Sequence, residues 1–135
     1  MSNIIETTFH VRYAETDQMG VVHHAAYIIW LEEGRSEWMR ANGTSYAHFE
    51  KDGFMLAVSE VNIRYRQAAH YDQQVTIRCW LDNVRSRQVT FHYEVIDTAK
   101  GAILAEAFTK LICLNAEGQV TPMPEKWRQL LGKET

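Results

Sequence analysis

With 135 residues the chain has the length of one domain, and nothing in it reads as a linker or repeat, so residues 1–135 are expected to fold as a single unit. Hydrophobic residues make up 46% and charged ones 23%, the balance of a soluble globular protein and not of a disordered one. A formal charge of -3 provides no basic field for a nucleic-acid backbone, and no apolar run approaches the ~18 residues that a membrane-crossing helix needs. The first residues lack the charged and apolar regions of a secretion signal, which points to a cytoplasmic protein.

Residues 7–13 alternate, with Phe9, Val11 and Tyr13 opposing Thr8, His10 and Arg12, and predict a first strand. Residues 14–20 break that pattern with Glu, Thr, Asp, Gln and a glycine, a composition suited to a turn. Over residues 22–41, Tyr27, Leu31, Gly34 and Trp38 recur at helical spacing and predict one long helix. Its first half, Ala25 to Leu31, is apolar nearly all round, whereas Glu32, Glu33, Arg35, Glu37 and Arg40 crowd the second, so deeper burial is expected of the first. Asn42 and Gly43 tolerate the left-handed conformation that ends a helix, and a short second helix is expected over residues 46–51.

Four further alternating runs follow: Val61, Ile63 and Tyr65; Val75, Ile77, Cys79 and Leu81; Val89, Phe91, Tyr93 and Val95; and Ile103 through Cys113. Short connections at residues 67–73, 82–86 and 98–101 suggest an antiparallel meander. Pro122 and Pro124 close the last strand, and residues 125–131 can form a terminal helical tail. One long helix and five strands make an α+β domain, and the economical packing wraps the sheet around the helix. Cys79 and Cys113 lie far apart in strand-like runs, without the paired spacing of a zinc site, and are expected to be reduced, structural thiols.

The chemistry concentrates where the first strand turns into the helix. Asp17 precedes Gly20, which permits a tight backbone approach, and then Val21 to His24, where the first helical amides have no partner within the helix. A carboxylate beside free N–H donors suits ester or thioester hydrolysis: the donors stabilise the carbonyl oxygen as it gains charge, and the carboxylate attacks carbon or draws a proton from water. Gly20, Val22, His23 and His24 are therefore the candidate oxyanion segment, with the His23 and His24 side chains available to bond substrate or orient Asp17. The same local pattern also fits a purely structural role, since an aspartate ahead of a glycine and a helix commonly forms an Asx-turn or an N-cap.

The run Phe9-His-Val-Arg-Tyr13-Ala-Glu-Thr-Asp17-Gln-Met-Gly20-Val-Val-His-His24-Ala-Ala-Tyr27, continuing to Trp30-Leu-Glu-Glu-Gly-Arg35, resembles the signature of the 4-hydroxybenzoyl-CoA thioesterase family of hotdog proteins. A looser likeness continues through Asn62-Ile-Arg-Tyr65 to Tyr71-Asp72. The resemblance implies a hotdog fold, a long central helix wrapped by a five-stranded antiparallel sheet, and hydrolysis of an acyl- or aryl-CoA to free acid and coenzyme A. It implies Asp17 as the catalytic carboxylate, amides around Val22 to His24 as the carbonyl's donors, and, as in one bacterial branch, Tyr13 and His24 as helpers. It carries no role onto His23. It further implies a homodimer, commonly paired into a tetramer, with active sites at subunit interfaces.

No cofactor is expected, because coenzyme A is part of the substrate. No glycine-rich phosphate loop is present, so the nucleotide should meet surface basic residues, and Arg85, Ser86 and Arg87 at a turn are the best cluster. Glu32 and Glu33 are rival carboxylates, but they sit beside Arg35 and Arg40 on the polar half of the helix. His10, His23, His24, His48, His70 and His92 include no His-x-x-x-His pair, so no metal site is expected, and no Gly-x-Ser-x-Gly elbow supports a serine nucleophile. The rival of a different class is a non-catalytic acyl-thioester-binding or scaffolding hotdog protein.

Overall fold

The computed structural model describes residues 3–132. The chain runs β1 (Ile5–His10), a 3-10 turn at Tyr13–Glu15, α1 (His24–Ala41), α2 (Tyr46–Lys51), β2 (Met55–Tyr65), β3 (Gln74–Val84), β4 (Gln88–Asp97), β5 (Ile103–Leu114) and α3 (Glu125–Leu131). The strands form one antiparallel sheet in the order β1-β3-β4-β5-β2.

Alternation sets which face each strand buries. Val75, Ile77, Cys79 and Leu81 on β3, Val89, Phe91, Tyr93 and Val95 on β4, and Ala105, Ala107, Leu111 and Cys113 on β5 are all buried. The stripe of α1 formed by Tyr27, Trp30, Leu31, Trp38 and Met39 completes the same core, with Trp38 edge-on to Phe91 at 5.3 Å. Gly34 permits the close approach: a Cβ there would stand 2.7 Å from Ile77 Cγ2. Each such aliphatic or aromatic side chain contributes about 1.5–3 kcal/mol by leaving water.

Arg35 crosses this interface with only 6% of its surface exposed. Its guanidinium donates to the Tyr46 hydroxyl and, at 3.1 Å, to the Tyr93 hydroxyl, which in turn pairs with Thr109 Oγ1 at 2.5 Å. Burial opposes the Arg35 charge, and the two phenol oxygens hold it in place. Burial pushes the Tyr93 phenol and the Cys79 thiol up, against the pull of Arg35. Cys79 and Cys113 are both buried free thiols.

Three expectations change. The first strand ends at His10, because the Val11 amide and carbonyl turn to Gln73 and Asp72 and Tyr13 enters the 3-10 turn. The later strands are not a simple meander: β2 pairs with β5 at the sheet edge, and only β3, β4 and β5 follow one another. Alternation reports which face a residue occupies, not which strand lies next to it. Residues 66–73 therefore cross three strand spacings, about 14 Å, along one end of the sheet.

Burial of α1 is also shared between its halves instead of favouring the first, where Ala26, Tyr27, Trp30 and Leu31 are the buried residues. Ile28 and Ile29 are 46% and 61% exposed, whereas Gly34, Arg35, Trp38 and Met39 are buried. Only one stripe of the helix faces the sheet, so apolar residues off that stripe stay uncovered within one chain. Among the described residues, no helix is long and apolar enough to cross a membrane.

Candidate active site

Asp17 closes a tight turn on itself. Its amide donates to the Val21 carbonyl at 2.9 Å, its carbonyl accepts from Gly20 at 3.0 Å, and its Oδ1 accepts from the Met19 and Val21 amides at 2.8 and 3.1 Å. Gly20 occupies φ +74°, a conformation that a side chain would strain. The Asx-turn reading is thus realised by Oδ1 alone. Oδ2 has no hydrogen-bond partner among the described residues, and the residue is exposed.

Three contacts brace this turn. Thr16 bridges Val22, Val21 bridges His70, and the Tyr71 amide donates to the Gly20 carbonyl at 2.9 Å. The crossing segment 66–73 therefore forms the floor of the site, with Ala69 fully buried. The Val22 amide donates to the Ala69 carbonyl and the His23 amide to the Glu15 carbonyl, each at 2.9 Å, while the Gly20 amide is consumed within the turn. This corrects the expected oxyanion segment: the amides of Gly20, Val22 and His23 are occupied. α1 opens at His24 without a side-chain cap from His23, and among the described residues the His24 and Ala25 amides have no partner.

The imidazole of His24 stacks on Tyr65 with ring centres 4.3 Å apart, and the Tyr65 hydroxyl donates to the His24 carbonyl at 3.2 Å. Tyr27 meets Tyr65 edge-on at 4.9 Å, and its hydroxyl accepts from the Ala69 amide at 3.3 Å. Burial raises the Tyr27 phenol, while the Ala69 bond draws it back. Between Val22, His24, Tyr27, Tyr65, Arg66 and Gln67 lies an open cleft of about 170 Å³. His23 is exposed. Tyr13 is 76% exposed and lies edge-on to Tyr71 at 5.5 Å.

Arg85, Ser86 and Arg87 form the β3–β4 turn, held by Arg85 N to Gln88 O at 2.7 Å, Met123 N to Ser86 O at 2.8 Å and Cys113 N to Arg87 O at 2.9 Å. Both arginines are exposed, and Arg85 borders an open groove of about 520 Å³ with Lys110 and His92. This turn lies at the opposite end of the sheet from Asp17. The eleven residues of β3 separate the two ends, a length of about 35 Å. One chain does not bring them together.

Glu33 approaches Arg12 at 4.0 Å on the surface of α1, and neither it nor Glu32 joins the turn. Among the described residues, no three His, Cys, Asp or Glu side chains gather as a metal site. Two contributors escaped the sequence reading: the crossing segment, whose destination no local pattern reveals, and Glu15, whose side chain reaches Trp30 far along the chain.

Residues 11–131 match the family model described as the thioesterase-like superfamily. The chain belongs to this superfamily. YneP of Bacillus subtilis (strain 168), named as a candidate acyl-CoA thioesterase, is 32% identical over 115 residues, which cover 85% of this chain and 83% of YneP. The acyl-CoA thioester hydrolase YbgC of Escherichia coli O6:H1 is 26% identical over 105 residues, 78% of each chain. The crystal structure of DHNA-CoA thioesterase from Staphylococcus aureus superposes with a TM-score of 0.87 at 28% identity, covering 96% of this chain and 89% of that one. This member of the thioesterase-like superfamily is a thioester hydrolase with the hotdog fold.

Proposed function

We propose that the protein hydrolyses acyl- or aryl-CoA thioesters to the free acid and coenzyme A, with Asp17 as the catalytic carboxylate. The observation that carries this reading is the division of labour within Asp17: Oδ1 is fixed by two backbone amides, and Oδ2 has no partner among the described residues, in the turn that leads into α1. A carboxylate with one oxygen anchored needs no reorganisation to present the other.

Two bond sequences fit. As a general base, Oδ2 takes a proton from water, the hydroxide adds to the carbonyl carbon, and collapse breaks the C–S bond as Asp17 returns the proton to the departing thiolate. As a nucleophile, Oδ2 itself adds and expels the thiolate, leaving a mixed anhydride that water then cleaves. In both, the carbonyl oxygen gains charge, and the His24 and Ala25 amides are its donors, aided by the positive end of the α1 dipole. Trapping with hydroxylamine separates the two, since only an anhydride yields a modified Asp17.

The acyl group enters the cleft walled by His24, Tyr27 and Tyr65. The aromatic walls of this open cleft suit an aryl group or a short chain laid against them. We read α1 as the long central helix and β2 as the seam of a homodimer. β2 is an edge strand carrying exposed Met55, Val58 and Val61, and Ile28 and Ile29 are exposed on α1. Antiparallel pairing of two β2 edges would set the Arg85–Arg87 turn of the second copy beside the Asp17 end of the first, where it would receive the nucleotide. A dimer of dimers extends the same assembly.

The test is turnover of a panel of aryl, short-chain and long-chain acyl-CoAs, followed by release of the CoA thiol. Wild type should hydrolyse at least one, and Asp17→Asn should lower kcat by roughly 10²-fold or more with the fold intact. Full activity in Asp17→Asn would remove the assignment, and no turnover on any thioester would favour an acyl-binding or scaffolding role.

A further inference from the structure

Glu15 has no part in the reaction described above, yet its one residue ties together both sides of the Asp17 turn. Its side chain is only 13% exposed. Oε1 accepts from the Arg12 amide at 2.8 Å, and Oε2 accepts from the indole N–H of Trp30 at 2.7 Å and from Arg12 Nη1 at 3.1 Å. Its backbone carbonyl accepts from the His23 amide at 2.9 Å. The carboxylate thus fixes the 3-10 turn to α1, and the carbonyl fixes the residue that precedes the first open amide of α1.

Trp30 gives this anchor its rigidity. It is fully buried on α1, edge-on to Phe9 at 5.4 Å and tilted on Tyr27 at 4.8 Å, so its N–H has one direction in which to point. A buried indole N–H requires an acceptor, and a carboxylate is a stronger one than a neutral oxygen. Asp17 lies two residues beyond Glu15, and the Thr16–Val22 bridge between them links the same two sides of the turn. A shift of Glu15 therefore moves the Asp17 carboxylate relative to the His24 and Ala25 amides, and displacements of about 1 Å at reacting groups can cost 10²-fold in rate.

We infer that Glu15 is a positioning residue for thioester hydrolysis, holding the Asp17 carboxylate in register with the open amides of α1 through its bonds to Trp30, Arg12 and His23. This inference rests on the reading of Asp17 as the catalytic carboxylate. Glu15 touches no substrate; it acts through the turn.

The experiment measures kcat and KM on the best acyl-CoA of the panel for wild type, Glu15→Gln, Asp17→Asn and the double variant, with the folded fraction of each fixed by circular dichroism. Glu15→Gln keeps the size of the side chain but sets an NH2 group against one of the N–H donors now bonded to it. It should lower kcat by roughly tenfold per folded molecule while KM stays within about twofold. In the Asp17→Asn background it should cost no more than about twofold, because there is no carboxylate left to position. Unchanged kcat in Glu15→Gln, or the same full loss in the Asp17→Asn background, would overturn the inference. If Asp17→Asn is itself fully active, the reading of Asp17 falls and this inference with it; if Asp17→Asn is crippled but Glu15→Gln is not, only the role of Glu15 falls. Should Glu15→Gln fail to fold, Trp30→Phe removes the indole donor and keeps a ring, and the same pattern of kcat loss and non-additivity is required of it.

Discussion

The two ends of the sheet differ in how their backbone is used. At the Asp17 end, the turn, the crossing segment and the 3-10 turn engage most local amides, and Asp17 Oδ2 and the first two amides of α1 are among the polar groups left open among the described residues. At the other end, Arg85 and Arg87 are exposed side chains on a β-hairpin, and among the described residues no hydrogen bond or ion pair holds their charged groups. The first end holds polar groups in fixed geometry, as the proposed chemistry requires, and the second presents exposed charge, as the proposed nucleotide contact requires. With a separation of about 35 Å within one chain, a single copy would supply either end of the proposed coenzyme A site but not both.

The sharpest way to break this contrast is to disable each end in turn. Asp17→Asn should lower kcat by roughly 10²-fold or more with little change in KM, and a comparable rise in KM instead would make Asp17 a binding group. Arg85→Ala combined with Arg87→Ala should raise KM for acyl-CoA by roughly tenfold at unchanged kcat. The same double variant should leave hydrolysis of an acyl-pantetheine thioester, which lacks the nucleotide, as it was; an equal loss on both substrates would detach the arginines from nucleotide binding.

Two further expectations concern the scaffold between the ends. Gly34→Ala should destabilise the protein by about 1–3 kcal/mol in chemical denaturation, because its Cβ would meet Ile77 Cγ2 at 2.7 Å. Its kcat per folded molecule should hold. The smallest effect is expected at Asp52, which accepts from the Trp127 indole at 2.7 Å and pairs with Lys126 at 2.9 Å. The Lys126 and Trp127 bonds hold its carboxyl below the usual range. A depressed folded-state value stabilises above the ordinary carboxylate pKa and ceases to do so as the pH falls through the depressed one. The stability difference between wild type and Asp52→Asn should therefore be present at neutral pH and shrink in acid, and a difference that grew on acidification would contradict the sign.

Much of the α+β domain was legible in the sequence, because strand faces and the helix stripe are local periodicities: Val75, Ile77 and Cys79 face the core as alternation requires, and Tyr27, Leu31 and Trp38 as helical spacing requires. The strand order was not, since the pairing of β2 with β5 depends on neighbours that alternation does not encode. At the site, Asp17 and Gly20 announced a turn, but which amides stay open depends on carbonyls from Ala69 and Glu15 that arrive through folding. That is why the expected donors at Val22 and His23 are occupied, and why the free pair begins one residue later. The exposure of Ile28 and Ile29 likewise follows from which stripe meets the sheet, not from the composition of the helix.

The central claim is that a carboxylate oxygen of Asp17 works against open amides at the start of α1, and the most direct test removes one of those amides. His24 is the first helical residue, where proline is well accommodated, and His23 before it already has φ −63° and ψ 141°, the extended conformation that a following proline demands. His24→Pro deletes both the imidazole and the backbone N–H, whereas His24→Ala deletes the imidazole alone. The ratio of their kcat values therefore isolates the amide. His24→Pro should be slower than His24→Ala by roughly 10²-fold on the same acyl-CoA, the usual cost of a lost oxyanion donor. Equal rates in two well-folded variants would contradict the account.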